Sequence, residues 1–258
     1  MRLVRYSYRD KDGYGIYEGD FVQPVEGLVR HKAAGRKVEV INTKFLAPSE
    51  PTKIVCAGLN YMDHAVEMNM PIPEEPVIFI KPPSSVLRPG GVIRYPVMSH
   101  QVDHEAELAV VIGKTAKDVS PEDAPSYILG YTCFNDVTAR DLQKRHTQWF
   151  KGKSLDTFCP MGPVLVTADE IPDPQALSIV MRVNGQVRQS SNTSKMIFPV
   201  DQCIEVLSLA MTLLPGDIIA TGTPDGVGAA TGNFLKAGDR MEAEVEKIGV
   251  LANRVARP

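Results

Sequence analysis

Cysteine is scarce, and its placement excludes more than its number does. Cys56, Cys133, Cys159 and Cys203 form no Cys-x-x-Cys pair, so neither a zinc ribbon nor a thioredoxin-type site is expected. A disulfide framework is not expected either, because a chain of 258 residues can bury a full core without covalent staples. Basic charge is not in surplus. The net charge is −3, which implies no broad basic surface for nucleic acid or an anionic membrane. The early arginines Arg2, Arg5 and Arg9 are diluted by Asp10, Asp12 and Glu18. No apolar run approaches the length of a membrane span, and the N-terminus has no apolar signal core. The glycine pattern of a dinucleotide fold is missing, and no internal repeat stands out. These absences lead to the expectation of a reduced, cytoplasmic protein.

What is present is strand-rich. Residues 1–48 read as a small β-rich N-terminal domain with short β-type runs, Leu3 to Tyr8, Tyr14 to Tyr17 and Lys37 to Val40. Ala47-Pro48-Ser49-Glu50-Pro51 reads as an exposed linker, since proline and small polar residues favour extended chain. Residues 52–258 read as a second, larger domain. Ile54 to Ala57, Val77 to Ile80, Glu107 to Ile112, Tyr131 to Asn135 and Val164 to Val166 are apolar or β-branched runs bounded by Gly or Pro. Asn184-Gly185 predicts a hairpin over Ile179 to Arg188. Met241, Ala243 and Val245 alternate with acids, as in a strand with one wet face. Two helices are expected. One starts at Ser120-Pro121-x-Asp123, an N-cap followed by Pro. The other carries Val200, Ile204, Leu207, Met211 and Leu214 up to Pro215-Gly216. Many strands with few helices point to a β-dominated α+β fold.

Four constellations carry chemistry. Glu105 and Glu107 are two apart before an apolar run, so they leave one face of a strand. Read alone, they are a solvated strand end. Asp136, which ends the apolar run Tyr131 to Asn135, adds a third acid; its own plain reading is a helix N-cap. Three hard oxygen ligands without histidine suit Mg²⁺ or Mn²⁺ and leave positions for water and substrate. His64 and Glu67 share a helix face, as either an incidental surface contact or a pair in which the carboxylate raises the imidazole's basicity. Met68 to Pro76 holds too much proline for a long regular element and is a loop or a lid. Lys151 and Lys153 are either a solvated pair or a source of charge for an anionic substrate. Thr221-Gly222-Thr223-Pro224-Asp225-Gly226-Val227-Gly228 is either a plain loop or a set of N–H groups for a carboxylate. It lacks the Gly-Lys-Ser/Thr ending of a nucleotide loop.

Taken in order, Asn60-Tyr61…His64…Glu67, Asp103-His104-Glu105-Ala106-Glu107 through Gly113, Asn135-Asp136-Val137-Thr138-Ala139-Arg140-Asp141, Gly152-Lys153-Ser154, Arg188-Gln189…Asn192-Thr193 and the Thr221–Gly228 loop resemble the fumarylacetoacetate hydrolase family. The resemblance covers roughly residues 52–258. Residues 1–48 are similar to the small N-terminal domain of some short bacterial members. The resemblance implies a mixed β-sandwich roll, a homodimer and a Mg²⁺ or Mn²⁺ site. It implies Glu105, Glu107 and Asp136 as metal ligands, and His64 with Glu67 as a dyad on a lid that orders on ligand binding. It also implies Lys153 near metal and substrate, and Arg140, Gln143 and Thr223 as substrate contacts. Asp225 departs from the small residue expected there. The implied activity is metal-dependent C–C hydrolysis of 2,4-dioxo acids of the acylpyruvate or fumarylpyruvate type, through an enolate at the metal. Oxaloacetate-type decarboxylation and 2-hydroxy-dienoate isomerisation in aromatic catabolism are alternatives, and a non-catalytic ligand-binding member is a further one. The His64–Glu67 pair tilts the expectation toward hydrolysis. An iron oxygenase is disfavoured, because His31, His64, His100, His104 and His146 give no two-histidine, one-carboxylate set.

Overall fold

A computed structural model describes residues 1–145 and 147–257. Strands dominate it, as β-branched and aromatic runs separated by Gly and Pro demand. The central strand is Ala106–Ile112, buried along its whole length. It pairs antiparallel with Ile128–Asn135 on one side and with Ile218–Ala220 on the other. The sheet continues outward through Cys159–Thr167 on the first side and through Ile54–Gly58 and Val77–Lys81 on the second. Among the described residues a second, five-stranded sheet holds Ser178–Val183, Gln186–Asn192, Arg240–Val245, Gly249–Ala256 and Val92–Arg94. The period of two decides how these layers meet. Leu108, Val110 and Ile112 join Met181, Ala243, Val245 and Leu251 of the second sheet in one core. Ala109 and Val111 point to the opposite face, into a smaller core with Ile54, Cys56, Phe134 and Met161. This is the expected β-dominated α+β sandwich. The hairpin forms at Asn184-Gly185, both with positive φ.

Three expectations need correction. Ala47, Pro48 and Ser49 are buried, not an exposed linker. The Ser49 hydroxyl donates to Gly216 O at 2.6 Å, and Arg2–Tyr8 pairs directly with Cys159–Thr167. The N-terminal strands therefore extend the main sheet. Ser120-Pro121 starts no α-helix. One turn is followed by a 3₁₀ segment, Ala124–Tyr127, because Ile128 already enters the next strand. The second helix is real but shorter, Val200–Ala210. Met211 turns extended, and Leu213 exchanges two backbone hydrogen bonds with Ala116, each 2.9 Å. Sheet pairing captures the chain before Leu214.

Candidate active site

The register of the central pair builds the site. Ala106 lies opposite Asn135, so the residues just beyond, Glu105 and Asp136, are neighbours where the ladder ends. Asp136 N donates to Glu105 O at 2.9 Å, and Glu105 N donates to Asn135 Oδ1 at 3.0 Å. Glu107 shares the Glu105 face. Carboxylate oxygens of Glu105, Glu107 and Asp136 lie within 4.8 Å of one another, and all three residues are buried.

Each carboxylate has a different environment. Lys153 Nζ donates to Glu105 Oε2 at 2.7 Å and to Asp136 Oδ2 at 2.6 Å. Arg140 Nε donates to Asp103 Oδ2 at 2.8 Å, and its Nη2 sits 2.6 Å from Glu105 Oε1 as an ion pair. Burial pushes Glu105 up, but Lys153 and Arg140 outweigh it and hold its pKa at about 2. Lys81, fully buried, donates to Asp136 Oδ1 and to Phe158 O, the latter at 2.8 Å. Glu107 has no cation of its own. It accepts one hydrogen bond at 2.9 Å, from Gly222 N. Burial, then the charges of Asp136 and Glu105, push its pKa well above the usual carboxylate range.

The imbalance tests whether a metal fits. Four buried carboxylates, counting Asp103, face three buried cations: Lys81, Arg140 and Lys153. The deficit falls on Glu107. Buried like charges of this kind are stable only with a further positive charge or a proton. The donors are all hard oxygens, which matches a divalent ion of the Mg²⁺ class.

The pair His64 and Glu67 lies on helix Met62–Glu67. His64 Nδ1 is 3.3 Å from Glu67 Oε2, and Glu67 Oε1 accepts from Gly226 N at 2.9 Å. Glu67 is thus held from behind while it fixes the imidazole's tautomer. The segment after the helix is irregular and mostly exposed up to Glu75. Asn60 ties down the chain that enters this helix, donating to Thr221 O at 2.8 Å and accepting from Phe198 N at 2.8 Å.

The glycine loop does bind carboxylates, but they are the protein's own: Glu107, Glu67 and Asp103. Gly228 N and Ala229 N donate to Asp103 at 2.7 and 2.8 Å. Gly222 sits at φ +93°, and a Cβ there would lie 2.8 Å from Asn60 Cβ, so the strand-to-loop turn needs glycine.

One cavity of about 340 Å³ gathers most of the expected residues: Glu105, Glu107, Asp136, His64, Arg140, Gln143, Lys153 and Thr223. Glu67 stands behind His64. Thr223 is already engaged, since its hydroxyl donates to Ala106 O at 2.9 Å and accepts from Gln189 Nε2 at 2.8 Å. His104 turns away from the triad toward Gln189. Sequence reasoning missed Lys81, Asp103, Gln189 and the cavity-wall residue Trp149. For Lys81 a signal existed. It ends the apolar run Val77–Lys81 just as Asp136 follows its own run.

A buried acid triad that could hold a metal ion thus lies at a sheet end, with His64 of the His–Glu pair on the same cavity. Residues 53–256 match the model of the fumarylacetoacetate (FAA) hydrolase C-terminal family, and residues 1–48 match the Rv2993c-like N-terminal family. The chain belongs to the fumarylacetoacetate hydrolase family. It is 50% identical over 213 residues to the oxaloacetate tautomerase YisK of Bacillus subtilis, covering 81% of this chain and 71% of that one. A crystal structure of 5-carboxymethyl-2-hydroxymuconate delta-isomerase from Mycobacterium smegmatis is 40% identical with a TM-score of 0.91, covering 100% of both chains. A maleylpyruvate hydrolase from Sphingobium sp. SYK-6, solved with manganese(II) and pyruvate, is 29% identical with a TM-score of 0.82, covering 100% of this chain and 99% of that one.

Proposed function

We propose that this enzyme moves a proton at the carbon beside the oxo group of a 2-oxo acid, with keto–enol tautomerisation of oxaloacetate as its reaction. The observation that carries the reading is a glutamate-backed histidine facing a buried carboxylate triad in one cavity. Similarity to an oxaloacetate tautomerase supports the substrate. Glu105, Glu107 and Asp136 would hold Mg²⁺ or Mn²⁺, which would supply Lewis-acid polarisation of the 2-oxo acid. The chain does the rest. His64, with Nδ1 committed to Glu67, takes the C3 proton on Nε2. The C–H electron pair becomes the C2–C3 double bond, the C=O π pair moves onto the oxygen, and the proton held on His64 Nε2 is then delivered to that oxygen, which returns the histidine to its neutral form. Lys153 keeps positive charge at the cavity floor while negative charge develops on that oxygen. Met68 and Met70, from the segment after the helix, add apolar surface to the cavity lining.

A second reading is hydrolysis of 2,4-dioxo acids, which the same dyad serves by taking its proton from water. Similarity to maleylpyruvate hydrolase favours it. Mixing the Mg²⁺-loaded protein with enol-oxaloacetate, acetylpyruvate and fumarylpyruvate separates the two, because tautomerisation removes enol absorbance without releasing pyruvate. His64→Ala is expected to slow the favoured reaction by about 10²- to 10⁴-fold and leave metal affinity unchanged. An unchanged rate would remove His64 from the mechanism.

A further inference from the structure

We infer that the outer part of the same cavity selects a second carboxylate, and that Lys144 is the residue that reads it. The inference rests on the oxaloacetate reading above and assigns the residue that recognises that substrate's far carboxylate. The first argument is charge. Around the triad, four carboxylates face three cations. A divalent ion turns that deficit into an excess of one positive charge, which one substrate carboxylate neutralises. A second carboxylate therefore needs a cation from elsewhere in the cavity.

The second argument is commitment. Arg140 is held by Asp103 and Glu105, and Lys153 by Glu105 and Asp136. His64 is engaged by Glu67. Among the described residues lining the cavity, Lys144 is the cation without a carboxylate partner. It follows directly on helix Arg140–Gln143, so its backbone is anchored one residue past Gln143. It is exposed to solvent and lines the same cavity as the triad. Part of the cavity wall is apolar, with Met68, Met70, Phe79 and Trp149. Phe79 and Trp149 meet edge to face at 5.5 Å. Such a wall suits the flat carbon skeleton of an enol or dienol and offers nothing to a distal charge.

Trp149 also supplies the measurement. It is the chain's one tryptophan, so quenching of its fluorescence reports occupancy of this cavity without any turnover. Two acids of equal chain length make the comparison: 2-oxobutanoate, which ends in a methyl group, and oxaloacetate, which ends in a carboxylate. The Mg²⁺-loaded wild type is expected to bind oxaloacetate about five- to tenfold more tightly, in line with one partly exposed charge-assisted contact. Lys144→Met should remove that preference by weakening oxaloacetate alone, and Lys144→Arg should retain it. A preference that survives Lys144→Met overturns the assignment and leaves the proposed function standing. Failure of the wild type to bind either acid would overturn both.

Discussion

Glu107 is the acid with the least help from the protein. Its one hydrogen bond comes from Gly222 N, and burial together with Asp136 and Glu105 raises its pKa. The sign of the resulting stability effect is fixed. A raised folded pKa favours folding below the ordinary value of 4.5, and that benefit is lost as pH rises through the folded value. At neutral pH, without metal, Glu107 is therefore a net strain on the fold. Glu107→Gln keeps the shape and the acceptor for Gly222. The metal-free variant is expected to match or exceed the wild type in melting temperature at pH 7, with an advantage that grows as pH rises above 4.5. Mg²⁺ should raise the wild-type melting temperature by mass action and leave the variant unmoved. A metal-free variant that melts several degrees lower would make Glu107 a structural residue. The triad was readable in the sequence because each acid adjoins an apolar run whose direction is set by strand alternation. Lys81 left a similar signal at the end of its apolar run, but its pairing with Asp136 was not legible, because which strand end faces Asp136 depends on parallel pairing of Ile54–Gly58 with Ile218–Ala220, far away in sequence.

Two four-residue helices, Arg140–Gln143 and Phe150–Lys153, carry Arg140, Gln143 and Lys153 into the cavity. Neither shows hydrophobic periodicity, so sequence reading found their residues by motif and not by element. What holds them together is Gly152. A Cβ there would lie 2.6 Å from Gln143 N and 2.7 Å from Ala139 O, and backbone atoms cannot give way as a flexible side chain can. Gly152→Ala is expected to push the helix bearing Lys153 off its neighbour, at a cost of about 1–3 kcal/mol for an overpacked contact. Activity should fall further than stability, since Lys153 reaches Glu105 and Asp136 at hydrogen-bond distance only from its present position. Steady-state rates measured beside thermal melts decide this, and full activity in a folded variant would refute it. The glycine loop illustrates the opposite limit of sequence reading. Its N–H donors were legible as a carboxylate cradle, but only the fold reveals that Glu107, Glu67 and Asp103 already occupy it.

Across the whole molecule, composition reads the junction at Ala47 to Pro51 as a linker, whereas packing makes it a seam. Proline and small residues do favour extended chain, yet an extended chain can run through an interior if its polar groups find partners. Ser49 finds one on Gly216, and Asp217 supplies those of Thr52 and Lys53 just past the junction. It accepts from Thr52 N at 3.0 Å, Thr52 Oγ1 at 2.7 Å, Lys53 N at 3.1 Å, Lys53 Nζ at 2.5 Å and Leu214 N at 2.7 Å. One buried carboxylate thus joins the entry to strand Ile54–Gly58 to the turn before Ile218–Ala220, beside Ser49 on Gly216. Asp217→Ala leaves three backbone N–H groups without their acceptor, and is expected to cost about 3 kcal/mol. For a chain of this size that lowers the melting temperature by roughly 6–12 °C. Burial raises the Asp217 pKa, but Lys53, Leu214 and Thr52 outweigh it, so the net shift is below the ordinary 3.8. A lowered folded pKa gives stability that is present above the ordinary value and lost as pH falls through the folded one. The difference between wild type and variant should therefore be constant from neutral pH to about pH 5 and shrink below pH 3.8. Melting curves of both proteins across that range test the seam directly, and equal melting temperatures at pH 7 would show that the sheet holds the N-terminal strands without it.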